Sequence, residues 1–330
     1  MLPTSHKDPP RSRVTHTSRP ENCGSLVRMS SQQFRTSGRS SKRPLQGRDA
    51  GAGKGFLFCL ATIASAVGLA ATYYFFVRTT AGQFIDESAL VEATVLGGTA
   101  GRASTEFLDM LPMLSLAIAA IMVLFVTVAR RRWTAAGIAV AACIAANAAT
   151  QILKLLIPDR PDRGVQTLEL NSLPSGHTTL AASAAAAVFL MVSPRWRPLA
   201  GFLGSTFAVA TGVSTLINQW HRPADVVAAF LVVAAVMLPA GWLILRTGNS
   251  WNVWKGYGEH WAASRLWVWL TVAALVIAGF VAVYSLLQVP DLSTDSTIDY
   301  FWAGTAFIVI AGYLSALGGT WLFGLAARKG

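Results

Sequence analysis

The chain has 330 residues, of which 53% are hydrophobic and only 13% charged. A soluble domain carries about 25% charged residues. The deficit comes from long apolar runs, which exclude a large soluble core and indicate an integral membrane protein. The formal net charge is +11, with much of it in residues 1–54.

That first segment is rich in Ser, Arg and Pro and has no apolar periodicity. It cannot bury enough surface to fold, and reads as a disordered basic cytoplasmic tail. A basic tail can bind nucleic acid. Beside a first membrane helix it holds the cytoplasmic side, with some attraction to anionic lipid, so no nucleic-acid partner is expected. The segment is too long and polar for a secretory signal, and Met29 is an alternative start.

A spanning helix needs about 20 mostly apolar residues. In chain order, the stretches that meet or approach this are 56–78, 109–129, 134–157, 178–194, 198–218, 224–245, 266–288 and 300–326. The fourth is short and Ala-rich, so it depends on close packing against its neighbours. Between the first two lies a Gly-rich, weakly amphipathic stretch, 79–108, expected as either an interfacial lid or a plain connecting loop. Cys59 and Cys143 fall in apolar segments and Cys23 in the tail. They give no disulfide framework and no metal-ligand spacing, and are read as free thiols.

Flanking charges give an orientation. Arg130, Arg131 and Arg132, then Arg195 and Arg197, then Arg246, Lys255 and Arg265, and finally Arg328 and Lys329 all fall on one side with the basic tail. The opposite loops hold Asp86, Glu87, Glu92 and Glu106, and later Asp291, Asp295 and Asp299. The excess of Lys and Arg predicts that both termini are cytoplasmic. The loops 158–177 and 219–223 are then extracytoplasmic.

Those two loops carry the chemistry. An imidazole near lipid is costly and marks a functional site by default. His177 begins the fourth helix, at the end of Pro174-Ser175-Gly176-His177, and His221 precedes the sixth. A helix start offers unpaired N–H groups and a positive dipole end, which favour an anion. Gly176 permits close backbone approach, and Ser175 can cap the helix or donate to a phosphate oxygen. His221 and Asp225 are spaced i, i+4, so on a helix they share a face. A carboxylate on one ring nitrogen leaves the other free to attack, although a helix-terminal ion pair is the plainer reading. Lys154 and Arg160 bring fixed positive charge, and Arg grips phosphate oxygens as a fork. The plainer reading of Lys154 is snorkelling to the head groups. Trp220 reads as an interfacial anchor, and Arg222 as either an anchor or another phosphate contact.

In this order, Lys154, Arg160-Pro161, Pro174-Ser175-Gly176-His177, Ser214, His221 and Asp225 resemble the motifs of the type 2 phosphatidic acid phosphatase (PAP2) superfamily, the membrane relatives of vanadium haloperoxidases. The resemblance covers about residues 109–245. It implies an all-α PAP2-like six-helix core over 55–246, followed by a cytoplasmic loop over 247–265 and two further transmembrane helices over 266–330, about eight in total.

The resemblance further implies a metal-independent phosphatase with no cofactor. His221 would attack phosphorus to form a phosphohistidine, and Asp225 would orient His221. His177 would protonate the leaving oxygen and then activate water. Lys154, Arg160, Ser175 and Gly176 would hold the phosphoryl oxygens, with Arg163, Arg222 and Ser214 as auxiliary candidates. The implied substrate is a lipid phosphate or polyprenyl diphosphate, handled at the outer face of the cell membrane. Phosphotransfer, or lipid binding with weakened hydrolysis, is the alternative. Two departures matter. The Lys154–Arg160 interval is one residue shorter than the family's, and Thr215 stands where the family has an Arg after Ser214.

Overall fold

The computed structural model describes residues 52–166, 171–247, 252–258, 260–289 and 298–329. The expected disordered tail lies almost wholly outside the described residues. The helices are α1 (Ala52–Arg78), α2 (Thr80–Glu92), α3 (Thr94–Arg130), α4 (Trp133–Leu156), α5 (Gly176–Met191), α6 (Arg197–Ile217), α7 (Pro223–Arg246), α8 (Arg265–Leu287) and α9 (Asp299–Ala326). A parallel pairing of Val253 and Trp254 with Arg328 and Lys329 is the extent of β structure among the described residues. The protein is an all-α membrane protein.

By length and apolarity alone, six helices among the described residues can cross a membrane: α1, α4, α6, α7, α8 and α9. Eight are expected from the sequence. The other two expected spans fall in α5, whose 16 residues extend about 24 Å at 1.5 Å per residue, and in α3, a helix of 37 residues that contains the 109–129 stretch. The core is built around α5. Ala181, Ala182, Ala184 and Ala187 are all buried, because small side chains let the surrounding helices close on it. The close approach of α6 to α7 depends on Gly212, where an added Cβ would lie 2.5 Å from Val226 Cγ1. That is well inside contact distance, so Gly is required there.

The segment 79–108 is not a loop. Thr79 caps α2 by accepting the Gly82 N–H at 3.1 Å, and α3 begins at Thr94. The buried positions of α2 include Gln83, Asp86, Ala89 and Glu92, at intervals of three residues. Neither a surface lid nor a plain connection describes this helix: it is sealed into one end of the bundle by its polar side chains.

The bundle has two distinct ends. At one, α2, the 157–166 segment, the N-termini of α5 and α7 and the start of α9 converge, with Glu92 accepting the Phe301 N–H at 2.8 Å. At the other, Arg197 donates to Asn252 at 3.1 Å and lies 4.7 Å over the Phe323 ring. Trp196 packs on Trp261 at that same end. The chain alternates between these ends along its length.

Candidate functional site

The site forms where α4 ends and where α5 and α7 begin. Ser175 is the N-cap of α5, its Oγ accepting the Thr178 N–H at 3.4 Å. Its own backbone N–H donates to the Asp225 carbonyl at 2.9 Å, which ties the start of α5 to the first turn of α7. Thr179 and Thr150 join hydroxyls at 2.9 Å, which fixes α5 against α4. An added Cβ at Gly176 would meet nothing closer than Gln151 Nε2 at 3.9 Å. The backbone there is open to an approaching group.

Asp225 organises the α7 side. Its Oδ2 accepts from Ser172 Oγ at 2.5 Å and from the Arg222 N–H at 3.1 Å. The same oxygen lies 3.3 Å from His221 Nδ1. Asp225 is fully buried, while the His221 side chain keeps 11% exposure. A carboxylate on Nδ1 orients the ring and directs Nε2 outward. His221 is also held through its backbone, since its N–H and that of Trp220 both donate to the Thr215 carbonyl, at 3.3 and 2.9 Å. The ring of Trp220 packs on His177 with centroids 5.3 Å apart. His177 lies in the neighbourhood of His221 and Lys154. Lys154 is half-buried and pairs with no described residue.

Arg160 reaches the site despite its short spacing from Lys154. The α4 helix has already ended at Leu156, so the intervening residues form an irregular loop and a missing residue causes no 100° helical rotation. The Arg160 side chain is fully buried, with Nη2 2.8 Å from Asp86 Oδ2 and 3.9 Å from Asp225 Oδ1. Its Nε and Nη1 have no hydrogen-bond partner among the described residues. Burial works against its charge, but the carboxylates of Asp86 and Asp225 outweigh this and raise its pKa. For Asp86 burial dominates over the pull of Arg160 and pushes the carboxyl up to about 6. Both directions leave an ion pair at neutral pH.

The auxiliary candidates are less central. Arg222 Nε donates to Glu87 at 2.6 Å and Nη1 to Ser172 at 3.3 Å, so Arg222 is a tether between α2 and α7. Arg163 is exposed. Ser214 offers its carbonyl to Ser104 Oγ at 3.1 Å. Thr215 is buried and donates to the Gly212 carbonyl of its own helix at 2.7 Å. It supplies the turn that carries His221, but no charge.

Residues 135–251 match the PAP2 superfamily. That match supports the PAP2 superfamily assignment. The matched PAP2 segment contains Lys154, Arg160, the Ser175–His177 helix start, His221 and Asp225, the same residues that the fold gathers at one end. Neither the curated proteins nor the solved structures compared with the chain gave a match.

Sequence reasoning missed Asp86, Glu87 and Ser172, which hold the PAP2 site from outside its motifs. One signal was present in the sequence. Gln83, Asp86 and Glu87, spaced i, i+3, i+4, fall on one face of a helix, within a stretch whose Gly-rich composition also fitted a loop.

Proposed function

We propose that this PAP2 protein is a membrane phosphatase hydrolysing a lipid phosphate or polyprenyl (di)phosphate at the extracytoplasmic face. The observation that carries the reading is the His221–Asp225 pair beside His177 at a helix start, with Lys154 and Arg160 converging there. PAP2 membership supports phosphatase-type activity. The flanking charges support cytoplasmic termini in the cell membrane.

In this mechanism His221 Nε2 attacks phosphorus as the bond to the leaving oxygen breaks, giving a phosphohistidine. His177, as an imidazolium, gives its proton to that oxygen. Asp225 stabilises the charge that develops on His221. His177 then takes a proton from water, the resulting hydroxide attacks phosphorus, the P–N bond breaks, and phosphate leaves. Lys154, Arg160, Ser175 and the Gly176 N–H oppose the charge on the phosphoryl oxygens, so no step requires a metal. An apolar cavity of about 360 Å³ is lined by residues that include Ala182, Gly204, Ala208, Phe230 and Gly312. It holds no titratable side chain and takes no part in these steps.

The test is phosphate release from defined lipid phosphates by the purified protein in the presence of chelator, with His221→Ala beside it. Turnover that persists in His221→Ala sinks the phosphohistidine. A second reading, lipid binding or phosphotransfer with weakened hydrolysis, is favoured by Thr215. Losing one charged contact to a transferring group costs roughly 3 kcal/mol, on the order of 10²-fold in rate. If hydrolysis is weakened in this way, Thr215→Arg raises turnover by at least about tenfold. Product analysis with an alcohol acceptor separates transfer from hydrolysis.

A further inference from the structure

We propose that Asp86 on α2 is a positioning residue for the phosphate site, holding Arg160 off Asp225 so that its free N–H groups face the phosphoryl group. Phosphate binding at Arg160 rests on the reading above; the role of Asp86 goes beyond it, because α2 lies outside the segment that carries every motif of the family match.

Two carboxylates compete for one cation. The guanidinium of Arg160 lies within reach of two buried carboxylates, Asp86 at 2.8 Å and Asp225 at 3.9 Å. Asp225 Oδ1 has no hydrogen-bond partner among the described residues, so it is a ready acceptor. If Arg160 moved onto it, the carboxylate that orients His221 would be neutralised and the guanidinium drawn away from the phosphoryl oxygens. Asp86 prevents both. Its Oδ2 takes Arg160 Nη2, while Oδ1 accepts the Ala224 N–H at 2.9 Å in the first turn of α7. One carboxylate thereby fixes Arg160 relative to the helix that bears Asp225. Nε and Nη1 of Arg160 stay buried and unpartnered among the described residues, and each is a donor that an anionic phosphoryl oxygen can accept from.

α2 is itself held so that Asp86 stays in place. The Nε2 of Gln83, which is completely buried, donates to the Pro161 carbonyl next to Arg160 at 2.9 Å. Glu87 holds Arg222, three residues before Asp225. Asparagine at position 86 offers one acceptor where the carboxylate offers two, so it cannot serve both Ala224 and Arg160.

The test is a double-mutant cycle with Asp86→Asn, Arg160→Gln and the double variant, using full-length protein in detergent. Two quantities are read: the Kd for orthovanadate and inorganic phosphate, and kcat/KM for phosphatidic acid in mixed micelles. Each single change is expected to weaken both by about tenfold or more. Asp86→Asn placed on Arg160→Gln is expected to change them by less than about twofold, because residues acting through one contact are not additive. Should Asp86→Asn not fold, Asp86→Ser keeps an acceptor for the α7 N-terminus and replaces it in the cycle. Wild-type behaviour of the Asp86 variant, or effects that simply multiply, overturns the proposal. Wild-type protein that binds phosphate but releases none from phosphatidic acid overturns the hydrolase reading, and the binding cycle still decides Asp86. Wild-type protein that binds neither probe overturns both.

Discussion

Asp225 is the residue around which the site is arranged, and its contacts predict what its neighbours do. It receives Ser172, Arg222 and His221 on Oδ2. Asp225→Asn keeps the shape but removes the negative charge beside the His221 imidazole. We expect kcat to fall by on the order of 10²–10⁴, with a smaller change in KM. His177 faces a different test. If it protonates the leaving oxygen, His177→Gln costs about 10²–10⁴ on a lipid phosphate. It costs much less on p-nitrophenyl phosphate, whose leaving group departs without a proton. Equal losses on both substrates would contradict the general-acid role.

These residues were legible in the sequence because their signal is local: a tetrapeptide at a helix start, and an i, i+4 pair. Arg160 was harder to read, since its interval from Lys154 counts only if the intervening residues are helical, and the α4 helix ends before them. Asp86 was not legible as part of the site. Its partners lie 74 and 138 residues away, and no periodicity links them.

At the scale of elements, α2 is the part that sequence patterning misjudged. The usual signal for a packed helix is an apolar face, but here the buried face carries Gln83, Asp86 and Glu92. A buried polar face looks exposed to any hydropathy pattern, and only the partners reveal it. Glu92 provides a control for this account. It accepts the Phe301 N–H in the first turn of α9 and, among the described residues, bonds to no member of the site. Glu92→Ala should lower stability by about 1–2 kcal/mol, read as an earlier thermal unfolding midpoint in detergent, with KM unchanged. At the α6–α7 crossing, Gly212→Ala forces a methyl into Val226 and should cost about 1–3 kcal/mol. Because Thr215 and His221 follow on the same strand of contacts, kcat should fall with it.

At the scale of the whole molecule, α9 is integral to the bundle. An added Cβ at Gly304 would lie 2.5 Å from Pro223 Cγ and 3.0 Å from Ala89 Cβ, so α9 presses directly on the first residue of α7 and on α2. The sequence showed two extra helices without motifs and left open whether they pack on the core or mediate association. The structure shows that α9 packs against the elements bearing the site. Orientation is a separate prediction: single-cysteine variants in the 158–166 segment should react with an impermeant thiol reagent from outside intact cells, and a C-terminal tag should not be reached. The reverse labelling pattern would place the site in the cytoplasm.

The central claim is that His221 carries the phosphoryl group. The most direct measurement is phosphate release by purified protein from a panel of lipid phosphates and polyprenyl diphosphates, with chelator present and with His221→Ala run in parallel. We expect turnover of at least one lipid by the wild type, and loss of about 10³-fold or more in the variant. Turnover of comparable rate in His221→Ala would contradict it.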